Sequence, residues 1–149
     1  MVNCWYLDEF ESARMWAQYG KVGQAVALQS TYARLQQCVS VDDRVKLRDV
    51  EYRSDYPESF RDRVFHKRPK YADEKEIRAH IFNSWDNWDQ LPDNGLWVPI
   101  DLRTLIEAVY VAPSSDSAFA SKVGATMSNH NLSSKPVLPS SLSKAPIAA

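Results

Sequence analysis

Glycine is scarce, with four residues in a chain of 149, and that scarcity excludes a glycine-rich loop of the kind that cradles a phosphate through backbone amides. Cysteine is scarcer still. Cys4 and Cys38 form neither a CxxC pair nor a set with histidine at metal-ligand spacing, so they read as buried free thiols in a reducing cytoplasm. His66, His80 and His130 are too scattered to make a metal constellation or a Ser-His-Asp order. No stretch approaches the roughly 20 apolar residues of a membrane span. The first residues carry Asp8, Glu9 and Glu11 where a secretory leader would have a basic segment and an apolar run. Charge of one sign is also missing. Eighteen basic against nineteen acidic residues leave a net charge of -1, so nothing drives the whole chain toward nucleic acid or an anionic membrane, and only a local basic patch remains open.

What is present is 44% hydrophobic and 11% aromatic content, enough for one domain with a moderate core. Val2 to Asp8 is rich in β-branched and aromatic residues and predicts a strand. It opens the chain so abruptly that material N-terminal to it is expected, an edge strand being the alternative. Glu11 to Tyr19 places Met15, Trp16 and Tyr19 at helical spacing before Gly20, a helix whose large side chains read as core packing. Ala25 to Leu28 reads as a buried strand, and Thr31 to Cys38 as an amphipathic helix of about two turns. From Val45 to Tyr52 the apolar positions alternate with one slip after Leu47, which a bulge near Arg48-Asp49 would reconcile. Ser54 to Arg63 is a loop or short helix.

Residues 83–95 form a polar excursion with Trp85 and Trp88, closed by an Asn-Gly turn as in a long hairpin connection. Leu96 to Leu102 predicts a strand that Pro99 confines to an edge or an end. Asp101 caps a helical turn, Ala108 to Ala112 is apolar enough to be a central strand, and Ser115 or Asp116 starts a helix through about Ser128. The expected fold is α+β, with a mixed, mostly antiparallel sheet of about five to six strands and three to four short helices. Residues 1–128 form that single domain, and residues 129–149 form a Ser/Pro/Lys-rich tail, extended or disordered.

The candidate site is the stretch from Lys67 to Phe82, a basic cluster, a proline and a densely charged run. If the run from Glu74 is a strand, Glu74, Glu76, Arg78 and His80 line one face and Ile77, Ala79 and Ile81 the other. Two carboxylates beside a guanidinium tune one another and suit acid/base or ligand-orienting work. If it is a helix, Glu74 pairs with Arg78 and Glu76 turns roughly 200° away, so the pair cannot converge. Alternating Glu, Lys, Glu and Arg also serve simply to solvate an exposed face. Strand and helix periods both fit so short a run.

Three segments together, NCWYLDEFESARMWAQYG with AVALQSTYARL, then FHKRPKYADEKEIRAHI, then GLWVPIDLRTLIEAVYVAP, carry a resemblance. They resemble the family of uncharacterised bacterial and phage-associated proteins called domain of unknown function 2971, over most of residues 3–125 and in the same order. That likeness implies a larger domain of which this chain corresponds to the C-terminal part. It singles out Trp16, Tyr19, Lys67, Arg68, Glu74, Glu76 and Arg78 as matching positions and assigns them no reaction.

Two functions follow as expectations. The Glu-x-Glu pair is similar to the acidic motif of ADP-ribosyltransferase-like folds, which implies a nucleotide-handling enzyme with Glu76 on the ribose and Glu74 on the acceptor. Lys67 and Arg68 would hold a phosphate, with Arg78, Trp16 and Tyr19 as further ligand contacts. The other reading is a non-catalytic module of a phage-defence or mobile-element system. There Lys67, Arg68 and Lys70 with Trp85 and Trp88 would bind a nucleotide or nucleic acid. The cofactor is unknown; the partner expected is a nucleotide, with no membrane and no strong nucleic-acid signal.

Overall fold

The computed structural model describes residues 1–20, 24–81 and 95–144. The expected excursion carrying Trp85 and Trp88 lies outside the described residues. The chain is α+β, as its alternation of strand and helix patterns predicts, and its sheets are mostly antiparallel. In place of one sheet the described residues form three small ones, of three, three and two strands. Contacts divide the chain into two compact units: unit 1 comprises Met1–Asp8 and Gln36–Ile100, and unit 2 comprises Glu9–Leu35 and Asp101–Ala149.

Unit 1 is built on strand β6 (Glu76–His80), flanked antiparallel by β1 (Val2–Tyr6) and β3 (Lys46–Asp49). Tyr6 stands opposite Glu76 and Cys4 opposite Arg78 on one side, with Arg48 opposite Arg78 on the other. Like charges face to face across a ladder repel, and the two arginines are separated by their partners. Arg48 turns to Asp62 at 2.7 Å and Glu51 at 2.9 Å and stacks 4.7 Å over the Phe65 ring, while Arg78 turns to Glu76. The expected bulge at Arg48-Asp49 is a change of sheet instead. Val50 still donates to Glu76 O at 2.9 Å, but Glu51 donates to Phe65 O at 2.7 Å, so the chain leaves β6 and continues as β4 (Glu51–Tyr52) parallel to β5 (His66–Lys67). That switch is why the apolar phase slips. Helix α3 (Phe60–Arg63) occupies the expected loop or short helix. Phe65, Val50, Ile77 and Ile81 are buried in this unit.

Unit 2 holds the second sheet, in which β7 (Ala108–Val111) is central between β2 (Val26–Gln29), antiparallel, and β8 (Val137–Pro139), parallel. Helix α1 (Ala13–Tyr19) starts on the Ser12 side chain and stops at Gly20. It buries no residue, and Tyr19 is 67% exposed, so the aromatic side chain expected in the core is at the surface. Strand β2 is likewise exposed along its length where a buried strand is expected; among the described residues it pairs with β7 alone. Helix α2 (Tyr32–Val39) carries Leu35 of this unit and Cys38 and Val39 of unit 1, all buried. No strand forms over residues 96–101; α4 (Leu102–Leu105) follows on the Asp101 cap, as its sequence predicts.

Helix α5 (Ser117–Asn129) is capped by Asp116, whose carboxylate accepts from Phe119 N at 2.7 Å. It sends Met127 into a core with Ile106, Val109 and Leu132, against which Val123 and Val137 pack. Leu132 and β8 both come from the segment expected as a tail. Because Asp116 satisfies an orphan amide of the longest described helix, Asp116→Ala is expected to destabilise the chain by about 1 kcal/mol and Asp116→Asn by a few tenths. Thermal unfolding of the two variants side by side checks this.

Candidate functional site

The charged run reads locally as two elements, not one. Pro69 fixes the start of a short 3-10 helix over Pro69–Glu74, and Lys75 ends it in the left-handed region at φ 39° and ψ 52°. Strand β6 begins only at Glu76, so the expectation of a strand from Glu74 is corrected at its first two residues. Neither simple periodicity describes the carboxylate pair. Strand alternation places Glu76, Arg78 and His80 on one face, and the left-handed turn at Lys75 swings Glu74 back toward the same point. An α-helical pairing of Glu74 with Arg78 does not form, because residues 76–80 are extended.

The convergence point is the Lys67 ammonium on β5. It donates to Glu74 and stands 2.8 Å from Glu76 Oε2. Arg78 closes a fork on the same carboxylate, Nε to Oε1 at 2.8 Å and Nη2 to Oε2 at 3.1 Å, and its remaining nitrogen bonds Val64 O. The Glu76 amide donates to Tyr52 Oη at 2.8 Å. Cys4, which is exposed and not the buried thiol its isolation predicts, hydrogen-bonds Glu76 from β1. Glu74 and Glu76 are 4% and 8% exposed, so both carboxylates are largely withdrawn from water and compensated by two cations.

The electrostatics follow from that packing. Burial pulls the Glu76 carboxyl up, but the bonds from Arg78, Cys4 and Lys67 outweigh it and hold the group down at about 2. Burial likewise pulls Lys67 down, and its bonds to Glu74 and Glu76 outweigh that and push it up. Desolvation, then Glu76 itself, pushes the Cys4 thiol up, so it stays protonated and is no thiolate nucleophile. His80 is lowered by burial and meets the Phe65 ring edge-on at 4.6 Å, a packed aromatic in character. A carboxylate held so low is an acceptor and a structural charge, poorly matched to donating a proton near neutrality.

Of the seven residues singled out from sequence, the structure brings Lys67, Glu74, Glu76 and Arg78 into one network. Arg68 lies next to it as the exposed residue preceding the 3-10 helix. Exposed Lys70 stands with its ammonium 4.9 Å from the Tyr71 ring centroid, and Lys67 approaches the same ring at 5.9 Å. Trp16 and Tyr19 belong to unit 2. Sequence reasoning missed Tyr52, Tyr71 and Cys4. The break in apolar phase before Tyr52 was the one signal that something changed there. Among the described residues, no group of three or more His, Cys, Asp and Glu side chains is placed to hold a metal ion, and no helix is long and apolar enough to cross a membrane.

No family model, curated protein or solved structure matches the chain.

The shift at Glu76 makes stability depend on acid. A depressed carboxyl stabilises the fold above its unfolded value of 4.5 and loses that contribution as pH falls toward about 2. The change amounts to about 3 kcal/mol. Lys67 acts oppositely: its contribution is whole below 10.5 and is lost as pH rises beyond it. Denaturant unfolding of Glu76→Gln across pH 2 to 7 should show a flatter acid limb and a loss of about 3 kcal/mol at neutrality. A second test addresses the turn. A β-branched residue is ill-suited to the left-handed region, so Lys75→Val should cost about 1–2 kcal/mol in the same assay, whereas Lys75→Gly should be near neutral, relief of strain offsetting loss of the Asp8 pair.

Proposed function

We propose that this chain is a non-catalytic binding module for a phosphate-bearing nucleotide, with Arg68, Lys70 and Tyr71 as the contact residues. The observation that carries this reading is the occupancy of Glu76. Its two oxygens already accept from the Arg78 fork, and Lys67 adds a further bond. A glutamate that must bond a ribose hydroxyl in group transfer would first have to surrender those partners, at a cost of several kcal/mol. The carboxylate pair therefore suits a scaffold better than a reacting centre.

That scaffold positions the cations beside it. Lys67, Glu74, Glu76 and Arg78 cancel one another's charge, and the adjoining turn carries Arg68 and Lys70 into solvent on either side of Pro69. An Arg fork bonds a phosphate bidentately, an ammonium adds a point charge, and a base stacking on the Tyr71 ring would displace the Lys70 ammonium that stands over it. The balanced total charge favours a small nucleotide over extended nucleic acid. The motif likeness to an uncharacterised family is compatible with this reading and adds no chemistry to it. The transferase-like alternative keeps the spacing of Glu74 and Glu76 in its favour and needs the network to open.

Calorimetric titration with ADP is expected to show binding that weakens steadily between about 50 and 200 mM salt, as released counterions require. The double substitution Arg68→Ala, Lys70→Ala should lower the affinity by about tenfold or more, with the fold intact. Affinity indifferent to salt and to that double change sinks the proposal. Incubation with labelled nicotinamide dinucleotide separates the alternative: transfer or hydrolysis that disappears in Glu76→Gln would replace binding by catalysis.

A further inference from the structure

Unit 2 contains a contact that neither the charged cluster nor the proposed ligand uses. Glu11, just ahead of α1, accepts at Oε2 from Ser140 Oγ at 3.1 Å, Ser141 N at 2.6 Å and Ser141 Oγ at 2.5 Å. Its other oxygen, Oε1, is buried with no hydrogen-bond partner. Ser140 is 2% exposed and uses each of its polar groups. Its N–H donates to Val111 O at 3.0 Å, its Oγ also accepts from Leu142 N at 3.2 Å, and its carbonyl accepts from Ser143 N at 3.1 Å. A single carboxylate thus fastens the segment that follows β8, across 130 positions of sequence.

We infer that residues 133–144 form a strap that opens as a unit, hinged at Asn131 and latched by Glu11. The strap is weakly held between those points. Among the described residues strand β8 is a three-residue edge of its sheet, and the prolines 136 and 139 at its ends lack the N–H that a ladder bond needs. Leu138 is 37% exposed, and from β8 it is Val137 that packs against the core. The hinge is marked by backbone: Asn131 sits at φ 58°, a left-handed position that asparagine tolerates, directly before Leu132, which is 4% exposed and donates to Met127 O at 2.8 Å. Leu132 stays with the core while the chain beyond it swings.

The latch is balanced between two opposing terms. Three donors on one carboxylate oxygen are charge-assisted bonds and favour the closed strap. The buried, unpartnered Oε1 opposes them, because opening returns it to water. Opening uncovers the outer edge of β7, where Val109 N donates to Pro136 O at 2.9 Å, and leaves the inner edge, where Glu107 N meets Gln29 O and Ala112 N meets Ala25 O, each at 2.9 Å.

Amide hydrogen exchange on the full chain tests this at four positions. Glu11→Ala is expected to accelerate exchange at Val109 and Ser140 by about tenfold or more while Glu107 and Ala112 keep their rates. Ser141→Asp, which sets a second negative charge against Glu11, is expected to do the same. Unchanged exchange at Val109 and Ser140, or an equal rise at all four amides, overturns the strap. Should Glu11→Ala fail to fold, Ser141→Ala removes one hydroxyl donor and is read at the same amides; absence of selective acceleration there overturns it equally.

Discussion

Withdrawing a carboxylate from water costs several kcal/mol unless its lone pairs are matched, and unit 1 is arranged so that Glu76 is matched. Four strands contribute to that one residue. β6 supplies the Arg78 fork, β5 the Lys67 ammonium, β1 the Cys4 thiol and β4 the Tyr52 hydroxyl that takes the Glu76 amide. Two of those strands belong to the three-stranded sheet and two to the parallel pair. The ionic network therefore also joins the three-stranded sheet to a two-stranded one too small to be stable alone. It accounts for the change of sheet at Val50, because the chain has to leave β6 to bring Tyr52 beside Lys67.

The same network divides the basic residues of the segment into two kinds. Lys67 and Arg78 are partly buried and committed to carboxylates, whereas Arg68 and Lys70 project from the 3-10 turn next to Tyr71. With Lys67 and Arg78 neutralised by their carboxylates, the local field of the turn comes from the exposed Arg68 and Lys70 alone. Lys75 completes the geometry. Its left-handed backbone changes the chain from 3-10 helix to strand within one residue, and so lets two carboxylates separated by one position meet a single ammonium.

Much of the secondary structure was legible because it depends on local chemistry. Asp101 and Asp116 cap helices where their side chains reach the first free amides, and Gly20 ends α1. The apolar run at Ala108–Val111 is the central strand its composition predicts. The failures have a common cause. Val26–Gln29 and the α1 aromatics are apolar and expected inside, but burial depends on what the tertiary fold packs over a side chain, and Val26, Leu28 and Tyr19 are exposed. The tail was composed like a linker, yet Leu132 and Ser140 are buried, one by the core and one by a glutamate 129 positions away.

By itself, the sequence determined the α+β class, the Asp101 and Asp116 caps, the central strand of unit 2 and the stretch in which charges cluster, since caps, periodicity and clustered charge act over a few residues. Only the tertiary structure decided that three sheets form in place of one and that Glu74 and Glu76 converge on Lys67. It alone gave Tyr52 and Cys4 a share in that site and Glu11 a hold on the C-terminal segment. Each of those outcomes turns on groups far apart in the chain or on one left-handed residue, and neither leaves a periodic trace in the order of amino acids.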